Sequence, residues 1–271
     1  PSIQAITVDL SAPVLDHLLN SWLEEDIGRG DLTATALRDC FGSAYWIAKQ
    51  PGIFCGGLLV KRLFNRLDPS IKLSLLVQDG EHFCVNTRLL EVKGPAASLA
   101  AGERTALNIA MHLSGIATAT ASLVQELDGT SVRLADTRKT TPGLRILEKY
   151  AFRCGGGINH RLGLDDSAML KENHLAWSKS IKTSVDALRR NIPSTSKIIV
   201  EAETPEQAEE AVRAGADWIL LDEMPPEILQ KLVPHLRRTA KVHLKDGLPN
   251  QIVLEASGVN PAALKVYAKT G

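Results

Sequence analysis

A chain of 271 residues, 44% hydrophobic and 23% charged, has ordinary globular composition, enough to bury roughly 75% of its unfolded surface in one large domain or two smaller ones. Its 31 basic and 31 acidic residues cancel, which excludes a global field recruiting nucleic acid or an acidic membrane, so any anion site must be a local cluster. Four dispersed cysteines without CxxC or zinc-finger spacing read as reduced thiols, and no apolar block reads as a leader or membrane span; the expectation is a soluble cytoplasmic protein.

The first hundred residues read as an α+β module. Val14 to Glu25 has helical periodicity and leads into the turn-rich EDIGRGDLTA. Strand-like runs follow at 44–49, 72–77 and 88–94. The stretch 102–127 reads as one long helix or two joined near Gly115, with many small residues that suit close packing. A domain boundary is expected near 95–103, dividing the chain into 1–103 and 104–271.

From there a rhythm sets in. Short, continuous apolar runs at 131–136, 167–171, 197–201, 217–222 and 251–257 each precede a turn and a helical pattern, at about 143–153, 178–192, 205–214, 225–238 and 261–269. Apolar strands alternating with helices predict a parallel sheet covered by helices. ETPEQAEEAVRAGAD shows the local grammar: Thr204 to cap, Pro205 in the first turn, Glu206 at the positive end and Gly215 to stop.

Four of these strands end in a charge, Asp136, Lys171, Glu201 and Asp222, and the fifth ends at Ser257-Gly258. Ligands of parallel α/β folds bind outside the carboxyl ends of the strands. Acids there could merely cap the next helix, but cations could not, because they oppose its dipole. Lys171, Arg138 and Lys139, joined by His160 and Arg161 of GGGINHRLGLDD, therefore predict an anion pocket for a dicarboxylate or a phosphorylated ligand. Glu201 and Asp222 could hold Mg²⁺ on a diphosphate or a sugar hydroxyl. Arg145 and Lys149, four apart, read as a solvated helix face, and Gly155 to Gly157 as a helix end rather than a phosphate cradle. His174 reads equally as structural or catalytic, His112 carries no motif, and Arg104 reads as a surface residue.

ADTRKTTPG, EKYAFRCGGGINHRLGLDDSAMLKENH, VEAETPEQAEEAVRAGADWILLD and LEASG, with EEDIGRGDLTA and GERTALNIAMHLSGIAT, resemble quinolinate phosphoribosyltransferase over about residues 20 to 268. The resemblance implies an N-terminal α/β sandwich and an incomplete (open) α/β barrel of the type II phosphoribosyltransferase kind, assembled as a homodimer or as several dimers. It implies transfer from phosphoribosyl diphosphate to quinolinate with loss of CO₂, giving nicotinate mononucleotide and diphosphate in NAD synthesis, with Mg²⁺. Carried over by motif, Arg138, Arg161, Lys171 and His160 would bind the quinolinate carboxylates, and Arg104 would reach in from the partner subunit. Thr137 lies in the same substrate motif; Lys139, Glu201 and Asp222 would serve the phosphoribosyl diphosphate, its metal and the chemistry, and Ser257 with Gly258 the 5′-phosphate. Three departures stand out: Glu223 where the family usually has Asn, Val259 where it usually has Gly, and an end at YAKTG where the family continues into another strand, which reads as a truncated barrel. Three alternatives stay open: a related transferase using another aromatic acid, a Schiff-base lyase using Lys171 or Lys139, and a ligand-binding relative without turnover.

Overall fold

Leu15, Leu19 and Leu23 recur at helical spacing and bury one stripe of α1 (Val14–Ile27). The computed structural model describes residues 13–243 and 252–271; the stretch 1–12, read for a leader, and Gln251, at the start of the last expected strand, lie outside the described residues. Two units form, one of residues up to 124 with 134–160, the other of 125–133 with 161–271.

In the first unit, β1 (Phe41–Ile47), β2 (Gly52–Ile53), α2 (Gly57–Leu67), β3 (Lys72–Leu75), β4 (His82–Phe83) and β5 (Arg88–Pro95) precede α3 (Ala96–Gln125) and α4 (Arg145–Cys154). The antiparallel sheet runs β1-β5-β3, beside a small β2-β4 ladder. Its core joins Leu59, Leu63 and Phe64 of α2, Leu90 and Val92 of β5, Ala106, Ile109 and Leu113 of α3, and Leu147, Tyr150 and Cys154 of α4. The small residues of α3 permit this: a Cβ on Gly102 would stand 2.8 Å from the Phe64 ring. α3 passes unbroken through Gly115, so the two-helix alternative does not hold, and residues 96–103 are its opening turns. Among the described residues, α3 alone is long and apolar enough to cross a membrane, yet its buried stripe packs on this core.

The expected strand 131–136 shrinks to a single parallel bridge, Ala135 to Ile158. Ile158 donates to the Leu134 carbonyl and Asp136 to that of Ile158, and no further ladder forms. The partner segment follows directly on Gly155–Gly157, where a Cβ on Gly155 would meet the Ala117 carbonyl of α3 at 2.4 Å. The glycines end α4 and let it approach α3, as a helix end should.

The second unit contains β6 (Ala168–Leu170), α5 (Glu172–Ala176), α6 (Ile181–Asn191), β7 (Ile198–Ala202), α7 (Pro205–Ala214), β8 (Trp218–Asp222), α8 (Pro226–His243), β9 (Val253–Ser257) and α9 (Leu264–Tyr267). The strands lie in chain order in one parallel sheet, β6-β7-β8-β9. The expected helix 261–269 is helical only over α9, flanked by tighter turns. Thr204 does cap α7, accepting from the Gln207 amide, and Gly215 ends it at φ 85°.

Strand alternation decides where the polar residues go. Leu170, Ile198, Val200, Ala202, Ile219 and Leu221 pack with α6, α7 and α8 in one core. Met169, Lys171, Ile199, Glu201, Leu220, Asp222 and Ser257 have the opposite parity, so they belong to the other face of the sheet.

Candidate active site

The second unit presents its polar residues along the carboxyl lip of the sheet. Lys171 Nζ donates to Glu201 Oε2 at 2.6 Å, with the lysine side chain 43% exposed and the carboxylate 11%. The lysine's own carboxylate partner explains how a cation can sit at a strand end without ligand. Asp222 is paired in register with Ser257 on the neighbouring strand. Arg161, at the entry to this lip, donates to the Ser167 carbonyl at 2.9 Å and to Met169 Sδ at 3.4 Å. Glu203, just past Glu201, has its carboxyl pushed up because in its protonated form it donates a hydrogen bond to Glu172, and by that neighbour's charge, with Asp222 and Glu201 adding to it. Among the described residues no three His, Cys, Asp or Glu side chains converge as a metal site. Glu201 and Asp222, on the neighbouring strands β7 and β8, are carboxylate donors of the kind that Mg²⁺ takes.

At the end of β9, Gly258 takes φ 73°, whereas Val259 is absent from the residues with positive φ, so valine there carries no left-handed strain. The strain falls one strand away. Glu223 adopts φ 51°, a left-handed conformation that asparagine tolerates better than glutamate. Its amide donates to the Ser257 carbonyl at 3.1 Å, and a Cβ on Gly258 would stand 2.7 Å from its Cγ.

The first unit holds the loop that follows the bridge at Ala135. Thr137 Oγ1 accepts from the Lys139 amide at 3.0 Å, and both residues are exposed. Arg138 is half-buried, and its Nε and Nη1 are buried without a hydrogen-bond partner. Such orphaned donors are costly and rare. Arg104 lies on the exposed side of α3. His160 is half-buried and its amide donates to Asp136 Oδ1 at 2.8 Å.

Asp136, read from the sequence only as a strand-end charge or a helix cap, neither caps α4 nor faces solvent. It accepts from Lys149 Nζ, from Asn159 Nδ2 at 2.7 Å and from the His160 amide. Lys149, expected on a solvated face, is 1% exposed and also donates to the His160 carbonyl at 3.1 Å. Arg145 Nε donates to Thr140 Oγ1 at 3.1 Å. Glu148 accepts from the Thr141 amide at 3.1 Å and meets His112 Nε2 at 3.0 Å. Burial pushes its carboxyl up, but Thr141 and His112 outweigh that and hold it below the usual range. Lys149 stands one place from the apolar stripe Leu147, Tyr150, Ala151, Cys154, the only signal that could have drawn it inward. His174 resolves toward structure: its Nδ1 accepts from the Lys171 amide at 3.1 Å, within the first turn of α5.

Comparison with known proteins covers nearly the whole chain. The family model "Quinolinate phosphoribosyl transferase, N-terminal domain" matches residues 31–114, and the corresponding C-terminal domain model matches 116–271. A probable carboxylating nicotinate-nucleotide pyrophosphorylase of Synechocystis sp. is 42% identical over 260 residues, covering 95% of this chain and 85% of that protein. The human carboxylating nicotinate-nucleotide pyrophosphorylase is 36% identical over 260 residues, covering 94% and 83%. The nicotinate-nucleotide pyrophosphorylase structure from Francisella tularensis superposes with TM-score 0.87 at 34% identity, covering 95% of this chain and 88% of that one. A lip of ion-paired lysine and acids, a loop with an orphaned arginine, and two domain models spanning nearly the whole chain have one common reading: the chain belongs to the quinolinate phosphoribosyltransferase family, the carboxylating nicotinate-nucleotide pyrophosphorylases.

Proposed function

We propose that this chain joins quinolinate to phosphoribosyl diphosphate, releasing CO₂ and diphosphate and giving nicotinate mononucleotide, and that Arg138, Arg161, Lys171 and His160 grip the two pyridine carboxylates. The observation that carries the clamp is the Arg138 guanidinium, whose Nε and Nη1 are buried donors without a partner that an anionic ligand would satisfy. The pyridine nitrogen is a weak nucleophile, so holding it against the ribose C1 supplies much of the rate. Positive charge grows on C1 as diphosphate leaves; Glu201 and Asp222 stabilise it, and Lys139 meets the departing anion. Glu201 and Asp222 would hold Mg²⁺ with the diphosphate, and the bound ion would supply further neutralisation of that leaving group. Thr137 completes the loop's contacts with substrate, and Ser257 with Gly258 receives the 5′-phosphate.

The functional unit in this reading is at least a homodimer, with Arg104 reaching the partner's site. Its support is the face of α3 that carries Arg104, where Asn108 and Met111 are also exposed. Free cysteines and an α3 stripe packed on a core support a soluble, cytoplasmic setting. The Schiff-base alternative is disfavoured at Lys171, because an ion-paired ammonium donates hydrogen bonds rather than electrons.

The test is direct. The protein is mixed with quinolinate, phosphoribosyl diphosphate and Mg²⁺, and nicotinate mononucleotide is expected. Quinolinate bound without product identifies an inert relative instead; turnover of another aromatic acid in place of quinolinate identifies a different transferase.

A further inference from the structure

We infer that Lys149, working through Asp136, is a positioning residue for quinolinate, an inference that rests on the assignment of Arg138 and His160 to that substrate. Nothing bonds to Nε or Nη1 of Arg138, so its direction is set by where its backbone is held. That backbone is held from α4 and from residues 158–160, which bond to Asp136. Lys149 grips Asp136 two residues before Arg138, Arg145 grips Thr140 two residues after it, and Glu148 accepts the next amide at Thr141. The same lysine reaches the His160 carbonyl, while Asn159 bridges the Asp136 carboxylate and the Lys149 carbonyl at 2.9 Å. One buried ammonium thus sets the spacing between the loop of Arg138 and the segment of His160.

The bland reading is a pair that only stabilises the core. A buried ion pair is poor value for stability, since desolvation consumes most of its attraction and apolar replacements often fold as well. What such a pair does supply is direction: Lys149 has two acceptors and Asp136 three donors, and an apolar pair could satisfy none of them. That geometry matters most where a neighbouring cation must be aimed at a planar diacid.

The experiment uses the full chain with Lys149→Met and with the double variant Asp136→Asn/Lys149→Met, which leaves no uncompensated buried charge. Steady-state kinetics and calorimetric quinolinate binding are measured. The expected result is a rise of tenfold or more in quinolinate KM and Kd, with the KM for phosphoribosyl diphosphate changed less than twofold. A merely structural pair would lower the melting temperature and the active fraction and leave both KM values in place, which overturns the inference. Hydrogen exchange on the unaltered chain gives a reading that survives misfolded variants: quinolinate should slow exchange at the Asp136, His160 and Thr141 amides, and unchanged exchange there also overturns it. An unaltered chain that neither binds quinolinate nor makes product defeats the functional assignment; activity with unmoved quinolinate KM defeats only the role of Lys149.

Discussion

Lys171 Nζ and Glu201 Oε2 stand 2.6 Å apart, each residue one position beyond Leu170–Val200, the last pair of the β6–β7 ladder. The pair is half in water, so it contributes at most about 1 kcal/mol to the fold. In the proposed clamp it keeps a cation at the lip for a diacid to share. Lys171→Ala should therefore leave the melting temperature nearly unchanged and weaken quinolinate binding by about 2–3 kcal/mol, roughly 30- to 150-fold in Kd. Calorimetry decides it: an unchanged Kd removes Lys171 from the clamp.

Arg138→Met makes the opposite kind of trade visible. The guanidinium holds two buried nitrogens without partners, a cost the free protein carries. The variant should melt at or above the temperature of the parent while losing quinolinate affinity. A variant that melts lower and binds normally would mean the arginine serves the fold.

Glu223 takes a left-handed backbone conformation beside Gly258. Glu223→Asn or Glu223→Gly should relieve about 1 kcal/mol, raising the melting temperature by about 2 °C for a chain this size. Gly258→Ala should destabilise, and less so on the Glu223→Gly background, where the clashing Cγ is gone. Additive effects in the thermal scans would mean the two residues do not crowd each other.

Asp79 accepts from the Gly57 amide at 2.8 Å and the Tyr150 hydroxyl at 2.7 Å, at the start of α2. Burial pushes its carboxyl above the ordinary 3.8, and those hydrogen bonds only partly offset it. A raised pKa in the fold favours the protonated form, so its stabilising effect is full below 3.8 and fades as pH rises through the folded value. Asp79→Asn should flatten the melting temperature across that acid-to-neutral window. An identical pH profile in parent and variant would rule Asp79 out as the titrating group.

Mixing Arg104→Ala with Lys171→Ala tests the shared site. Each variant alone should be nearly inactive. After subunit exchange, random pairing restores one intact site in half of the dimers, about a quarter of parental activity. No recovery, with exchange verified by mass, would place Arg104 in its own subunit's chemistry or in none.

Much of this architecture is written locally. Thr204-Pro205 and Gly215 bound α7 by capping and backbone geometry that need no distant partner, and the continuous apolar runs of β7 and β8 announce strands covered by helices. Period-two alternation likewise sends Lys171, Glu201, Asp222 and Ser257 to one face once the strand ends are known. The motif TRKTTPG and the lip residues could be read for the same reason: their chemistry is unusual where it stands.

Other features depended on partners far along the chain. Residues 131–136 have a strand's composition but find only Ile158 to pair with, because a ladder needs a neighbour and composition cannot supply one. α3 runs through Gly115 because its buried stripe, set by Phe64 and the first unit's core, outweighs the glycine's preference. Lys149 looked solvated because a helix period reports side, not depth; the acid that draws it inside lies thirteen positions away on another element. The sequence by itself determined the elements and the stock of charges, through short-range sterics and hydrophobic period. Only the tertiary structure decided which of those charges were buried together, because desolvation and pairing are properties of a neighbourhood that folding creates.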